Sequence, residues 1–171
     1  MADPAKDPRW LEEDERRAWL RLVMLLEVLP GVLDGQLRRD AGMTHFEYTV
    51  LAMLSEAPER TLRMTALAAR SHATLPRLSH VVARLVERDL VERRPSTQDG
   101  RVTDVELTNA GHAALVAAAP GHVGNVRAHV LDPLTPAQVT QLEQIAEAMV
   151  ATIPAAQRML EAWEEEAPDV G

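Results

Sequence analysis

The sequence predicts a mainly α-helical fold carrying one small β-hairpin, and three observations lead to it. Apolar residues recur at helical spacing through most of the 171 residues, whereas Val102 to Leu107 alternates like a strand. Two helical segments, Thr65 to Ser71 and Leu75 to Asp89, are separated by about three residues, the spacing of a helix-turn-helix. The second helix runs into Val91-Glu92-Arg93-Arg94, then a turn, Ser96-Thr97-Gln98-Asp99-Gly100-Arg101, then the alternating strand, which together read as a hairpin. The expected architecture is a winged helix-turn-helix domain flanked by helices at both chain ends.

Composition narrows the chemistry. An apolar content of 46% is enough for a core in one domain with extensions, and with only 3% aromatics that core must be aliphatic. The absence of cysteine removes disulfides, thiolate-held zinc, cysteine nucleophiles and thiol redox sensing. No apolar run reaches the roughly 18 residues needed to cross a bilayer, and the N-terminus is charged rather than signal-like, so a cytoplasmic protein without a membrane partner is expected. The net charge of −8 is unevenly spread. Between Arg60 and Arg101 nine arginines face four acids, a net of +5, so the remainder carries −13. Such asymmetry fits a polyanion-binding segment on an acidic scaffold.

The elements follow in order. Asp7-Pro8 places a capping acid before a proline at a helix start, and apolar spacing continues from Trp10 to Arg39, with Pro30-Gly31 expected to kink or split the helix. Thr44-His45-Phe46-Glu47 is a capping box opening a helix to about Ser55, which Glu56-Ala57-Pro58-Glu59 ends. Thr61 to Met64 could add a short strand to the hairpin. Thr74 caps the helix that holds Pro76 in its first turn. Thr108-Asn109 caps an alanine- and valine-rich helix that Pro120-Gly121 should interrupt before it resumes to Leu131. Thr135-Pro136-Ala137-Gln138 opens a last helix with Val139, Leu142, Ile145, Met149 and Ile153 on one side, before an acidic, frayed tail. Three regions result: residues 1–43, an N-terminal dimerisation helix; 44–108, the winged helix-turn-helix; and 109–171, C-terminal dimerisation helices and tail. Apolar stripes at both ends need a partner surface, and a two-fold related copy supplies one while presenting two recognition helices to successive major-groove faces.

On a helical wheel Leu75, Leu78, Val82, Leu85 and Val86 share one side of the helix, and Arg77, His80, Val81, Arg84 and Arg88 the other. Arginine forks suit guanine edges or paired phosphate oxygens. His80 and Ser79 could bond a base or a phosphate. In the turn, Gly100 permits a tight reversal and Arg101 projects where a narrow groove attracts it. Thr74, Arg94, Gln98 and Asp99 complete the candidate DNA-contacting set.

Leu78-Ser79, Arg84-Leu85, Leu90 to Arg93, Asp99-Gly100-Arg101, Val105 to Thr108 and Gly111 together resemble the central signature of MarR-type transcription regulators. The resemblance spans nearly the whole chain. It implies an obligate, roughly triangular homodimer joined by the terminal helices. It also implies binding to a palindromic operator, usually as a repressor relieved by a small phenolic or acidic ligand. Ser79 falls where the family often has a base- or phosphate-contacting Thr or Ser, Asp99 matches the acid bracing the wing, and Arg101 matches the wing-tip arginine of the minor groove. The chain departs from that pattern in three places. His80 replaces the usual arginine, Pro76 cannot donate an N–H to a phosphate, and Asp89 replaces a glycine whose left-handed conformation aspartate tolerates less well.

A ligand cleft would draw on Trp19, His45, Phe46 and Tyr48, although a place in the core is the more ordinary role for such residues. Six scattered histidines form no His-x3-His pair, so no metal site and no cofactor is expected; His122 and His129 could share a helix face if Gly124 does not break it. No nucleophile set, phosphate-binding glycine loop or metalloprotease motif is present, and an enzyme is not expected. Two rival readings remain: a small-molecule- or metal-binding module without DNA binding, and an architectural protein binding DNA without sequence preference.

Overall fold

The computed structural model describes residues 8–96 and 102–164. Its first helix, α1, spans Glu13–Ala41. It starts later than Asp7-Pro8 suggests, where Glu15 accepts the Glu12 N–H at 2.9 Å. Glu13, Asp14 and Glu15 in the first turn and Arg38 and Arg39 in the last complement the helix dipole. Pro30 does not split it. Proline's fixed φ already suits a helix, so a single intrahelical donor is lost within 29 residues of otherwise regular structure. At the C-terminus Gly42 takes φ +61°, and the Met43 N–H turns back to the Leu37 carbonyl.

Contacts divide the chain into two compact units, Met1–Val32 and Leu33–Gly171, a different division from the three functional regions read in the sequence. The first is the N-terminal part of α1, whose Trp19, Met24, Leu25, Leu26 and Val28 are all exposed. The second holds everything else. There α2 (His45–Glu56) begins with the expected capping box, in which Thr44 and Glu47 satisfy each other's backbone N–H groups. A single 3-10 turn leads into β1 (Thr61–Arg63), then α3 (Met64–Arg70), a tight link with His72 in the left-handed region, and α4 (Leu75–Glu87). The hairpin strands are β2 (Val91–Pro95) and β3 (Thr103–Leu107). Strand β3 lies between β1 and β2, antiparallel to both, with Leu62 opposite Val105 and Val91 opposite Leu107.

The centre is aliphatic. Leu37, Leu51, Leu54, Leu67, Leu78, Leu85, Val50, Val82, Val91 and Val105 are fully buried. Helix α5 (Asn109–Val126) is capped by the Thr108 hydroxyl on the Gly111 N–H. Contrary to expectation, Pro120-Gly121 does not interrupt α5, which runs on into a π-helical stretch, Arg127–Leu131. Gly111 is where α5 crosses the hairpin: a Cβ built there would sit 2.0 Å from the Leu90 carbonyl oxygen.

The last helix of the sequence reading, α6 (Pro136–Val150), stops short of Ile153, and a further helix, α7 (Pro154–Glu164), follows it, starting at Pro154, which has no N–H with which to continue α6. Glu161 and Glu164, read as part of a frayed tail, belong to α7. Helix α7 docks on α3 through a reciprocal pair of bonds. Trp163 Nε1 donates to the Arg70 carbonyl at 3.0 Å, and Arg70 Nε donates to the Ala162 carbonyl at 2.7 Å. No helix among the described residues is long and apolar enough to cross a membrane.

Candidate nucleic-acid interface

Helix α4 is strongly amphipathic, and its buried stripe is Leu78, Val81, Val82 and Leu85. This corrects the wheel by one position on each side. Val81 faces the core, whereas Leu75 and Val86 are exposed. At about 100° per residue the three arginines 77, 84 and 88 fall within about 40° of one another, next to Val81. The basic stripe therefore lies along the flank of α4 that borders α2.

Each arginine meets α2 there. The Arg77 guanidinium stacks over the Phe46 ring, 4.6 Å from its centroid. Arg84 Nε donates to Glu47 Oε1 at 3.2 Å, and Arg88 Nη1 stands 3.9 Å from Glu47 Oε2. The side chains of Arg84 and Arg88 nevertheless remain 54% and 39% exposed. Glu47 is buried, and burial alone would raise its pKa. The amide and hydroxyl of Thr44 together with Arg84 outweigh that and hold the carboxyl below its usual range.

The remaining candidates divide. The Thr74 hydroxyl caps α4 by accepting the Arg77 N–H, and His80 is fully on the exposed side. Ser79 is half-buried, with both its carbonyl and hydroxyl oxygens accepting from Arg93 Nη2, at 2.7 and 3.2 Å. Arg93, absent from the sequence-derived set, thus ties β2 to α4; strand alternation from Val91 could have found it. The same alternation sends Arg94 to the other face. There it bridges Glu92 and Glu106, which face each other across the strands, at 2.8 and 2.7 Å. Gln98, Asp99 and Arg101 lie outside the described residues. Asp89, at φ +57°, takes the left-handed position expected of it, and the Thr108 hydroxyl donates to its carbonyl at 2.7 Å.

Of the candidate ligand residues, the three on α2 point two ways. Trp19 belongs to the first compact unit, and Phe46 lies under Arg77. His45 and Tyr48 instead meet His122 of α5, with ring centroids 5.4 and 4.4 Å from it. His122 accordingly faces these rings rather than pairing with His129, which is exposed. Burial lowers the pKa of both His45 and His122; Asp34 partly offsets this for His45, and His45 adds to it for His122. Both shifts favour the neutral imidazole. The described residues contain no group of three His, Asp or Glu side chains placed to hold a metal.

Comparison with known proteins matches this arrangement to one family. The MarR family profile matches residues 41–102, from the end of α1 into the hairpin turn. The MarR family regulator Sco3205 of Streptomyces coelicolor, solved in complex with DNA, is 41% identical over 86% of this chain and 92% of its own, with a TM-score of 0.82. AbsC, another MarR family regulator of Streptomyces coelicolor, is 31% identical over 85% of this chain and 97% of its own, with a TM-score of 0.80. The HTH-type transcriptional repressor YetL of Bacillus subtilis is 32% identical over 87 residues, 51% of this chain, and the match spans only about half (52%) of YetL. With its fold and sequence matched over most of both chains, the protein belongs to the MarR family of transcriptional regulators.

Proposed function

We propose that the protein is a sequence-specific double-stranded DNA-binding regulator, a repressor rather than an enzyme, acting in the cytoplasm as a homodimer on a palindromic operator. The observation that carries this reading is the part-exposed basic stripe along one flank of α4, beside the buried stripe that seats the helix on the domain. Arg77, His80 and Arg84 are its major-groove contacts, with Thr74 and Ser79 at the helix start. The wing turn with Gln98, Asp99 and Arg101 reaches the backbone or minor groove. Arg94, already bridging two carboxylates, supports the wing instead. That a relative 41% identical was crystallised with DNA supports this reading over a ligand-binding module without DNA contact.

The dimer draws on apolar side chains left exposed at both ends, Met24, Leu25 and Leu26 of α1 and Leu142, Ile145 and Met149 of α6. Apolar surface of that extent stabilises association with a second copy. A small phenolic or acidic effector, as the family resemblance implies, would release the operator. Selection of DNA fragments by the purified protein tests the function: enrichment of one palindrome, with affinity that falls steeply as salt rises, is expected. Arg77→Ala should then cost roughly 1–3 kcal/mol of operator affinity. Selection returning no common sequence would refute specific recognition.

A further inference from the structure

Glu47 does more than cap α2. It is a buried carboxylate, 5% exposed, whose Oε2 accepts the Thr44 N–H at 2.7 Å and whose Oε1 holds Arg84. Both Glu47 and the guanidinium line an open cleft of about 480 Å³, with Arg38, Thr44 and Arg88 on its other walls. Arg38 is occupied by its own acid, Asp34. The carboxylate therefore addresses the two recognition-helix arginines, and it sits on a different helix from them.

The consequence follows from how arginine binds DNA. A free guanidinium on a flexible stem pairs with any phosphate it reaches, and each such contact adds sequence-independent affinity. An arginine whose charge is already met and whose stem is already fixed gains little from a random phosphate. Its remaining N–H groups still fit a base edge that lies in the right place, and less rotamer entropy is lost on doing so. We propose that Glu47 is a specificity-determining positioning residue: by pinning Arg84, and Arg88 behind it, it suppresses random-duplex binding relative to operator binding. This rests on α4 being the DNA-reading helix.

The test is Glu47→Gln, which keeps an acceptor for the Thr44 N–H but removes the charge, measured on operator and on random duplex across a salt series. Affinity for random duplex should rise roughly three- to tenfold and the log–log salt slope steepen by about one per arginine released, so that discrimination falls. In an Arg84→Ala/Arg88→Ala background the same substitution should leave discrimination unchanged, because there is nothing left to pin. Arg84→Ala alone leaves the α2 cap whole; it should weaken operator binding and spare random duplex. Unchanged discrimination in Glu47→Gln, or equal losses on both duplexes in Arg84→Ala, would overturn the pin. If the wild-type protein bound no duplex at all, the DNA-binding reading itself would fail, which is a separate outcome.

Discussion

Replacing Gly111 by alanine tests how tightly α5 is set against the hairpin. The added Cβ would lie 2.0 Å from the Leu90 carbonyl oxygen, 2.9 Å from its carbon and 2.8 Å from Leu107 Cδ1. Leu107 can rotate, but the Leu90 carbonyl cannot move freely, because it accepts the Thr108 N–H at 3.2 Å and directly precedes β2. Reaching ordinary contact therefore needs a backbone shift of about 1 Å, which stretches that bond. Two terms oppose each other. Alanine gains about 1 kcal/mol of helix propensity over glycine. Overpacking costs about 1–3 kcal/mol or more, and weakening the Thr108 bond adds about 1 kcal/mol. The net expectation is a destabilisation of about 1–3 kcal/mol, or a fall in Tm of about 3–10 °C. Thermal unfolding at fixed protein concentration reads this directly, since a dimer's Tm depends on concentration. A Tm equal to or above the wild type would show that propensity wins and that the close approach is not a constraint.

Further outcomes follow from the same geometry. Arg101→Ala should weaken operator binding and flatten the salt slope by about one unit; a slope equal to wild type would mean that the turn does not reach DNA. Stability should decline on acidification below pH 6.5, the ordinary histidine value. His45 and His122 have folded pKa values lowered below it, so the unfolded chain binds more protons in that window, and the stability present above 6.5 is lost as pH falls through the folded values. Asp34 and Glu47 act in the same direction only at lower pH, below 3.8 and 4.5 respectively. His122→Gln should flatten the decline nearer neutrality, and an unchanged pH profile of Tm would count against it. Ile145→Glu places a charge on the exposed apolar face of α6 and should shift sedimentation from dimer towards monomer, with operator affinity falling in parallel. A variant still wholly dimeric would move the interface elsewhere.

Much of the fold is written in local chemistry. The Thr44 and Thr135 capping boxes, the Thr74 and Thr108 caps and the left-handed Asp89 were all readable, because each depends on residues within a turn of one another. Prolines were less legible. Pro30 and Pro120 sit inside continuous helices, whereas Pro154 separates two, and the residue pattern around each does not tell these outcomes apart. The face of α4 was misplaced by one residue, since Leu75 and Val86 are apolar yet lie at the rim of the buried arc and Val81 lies within it. In the candidate site, the sequence showed which arginines share a stripe but not that Glu47, 37 positions from Arg84, holds one of them. It likewise joined His45 to Tyr48 without showing that His122 completes the cluster, because that contact depends on α5 continuing past Pro120.

The docking of α7 on α3 has a mechanical consequence. Only Ala151, Thr152 and Ile153 separate α6 from α7, too short a tether to absorb much travel. At its far end α7 is latched to the first helix of the helix-turn-helix by Arg70 and Trp163, each gripping the other helix's backbone. A displacement of α6 would therefore pull on α3, and through the buried Leu67 and Ala68 of α3 on the aliphatic centre itself.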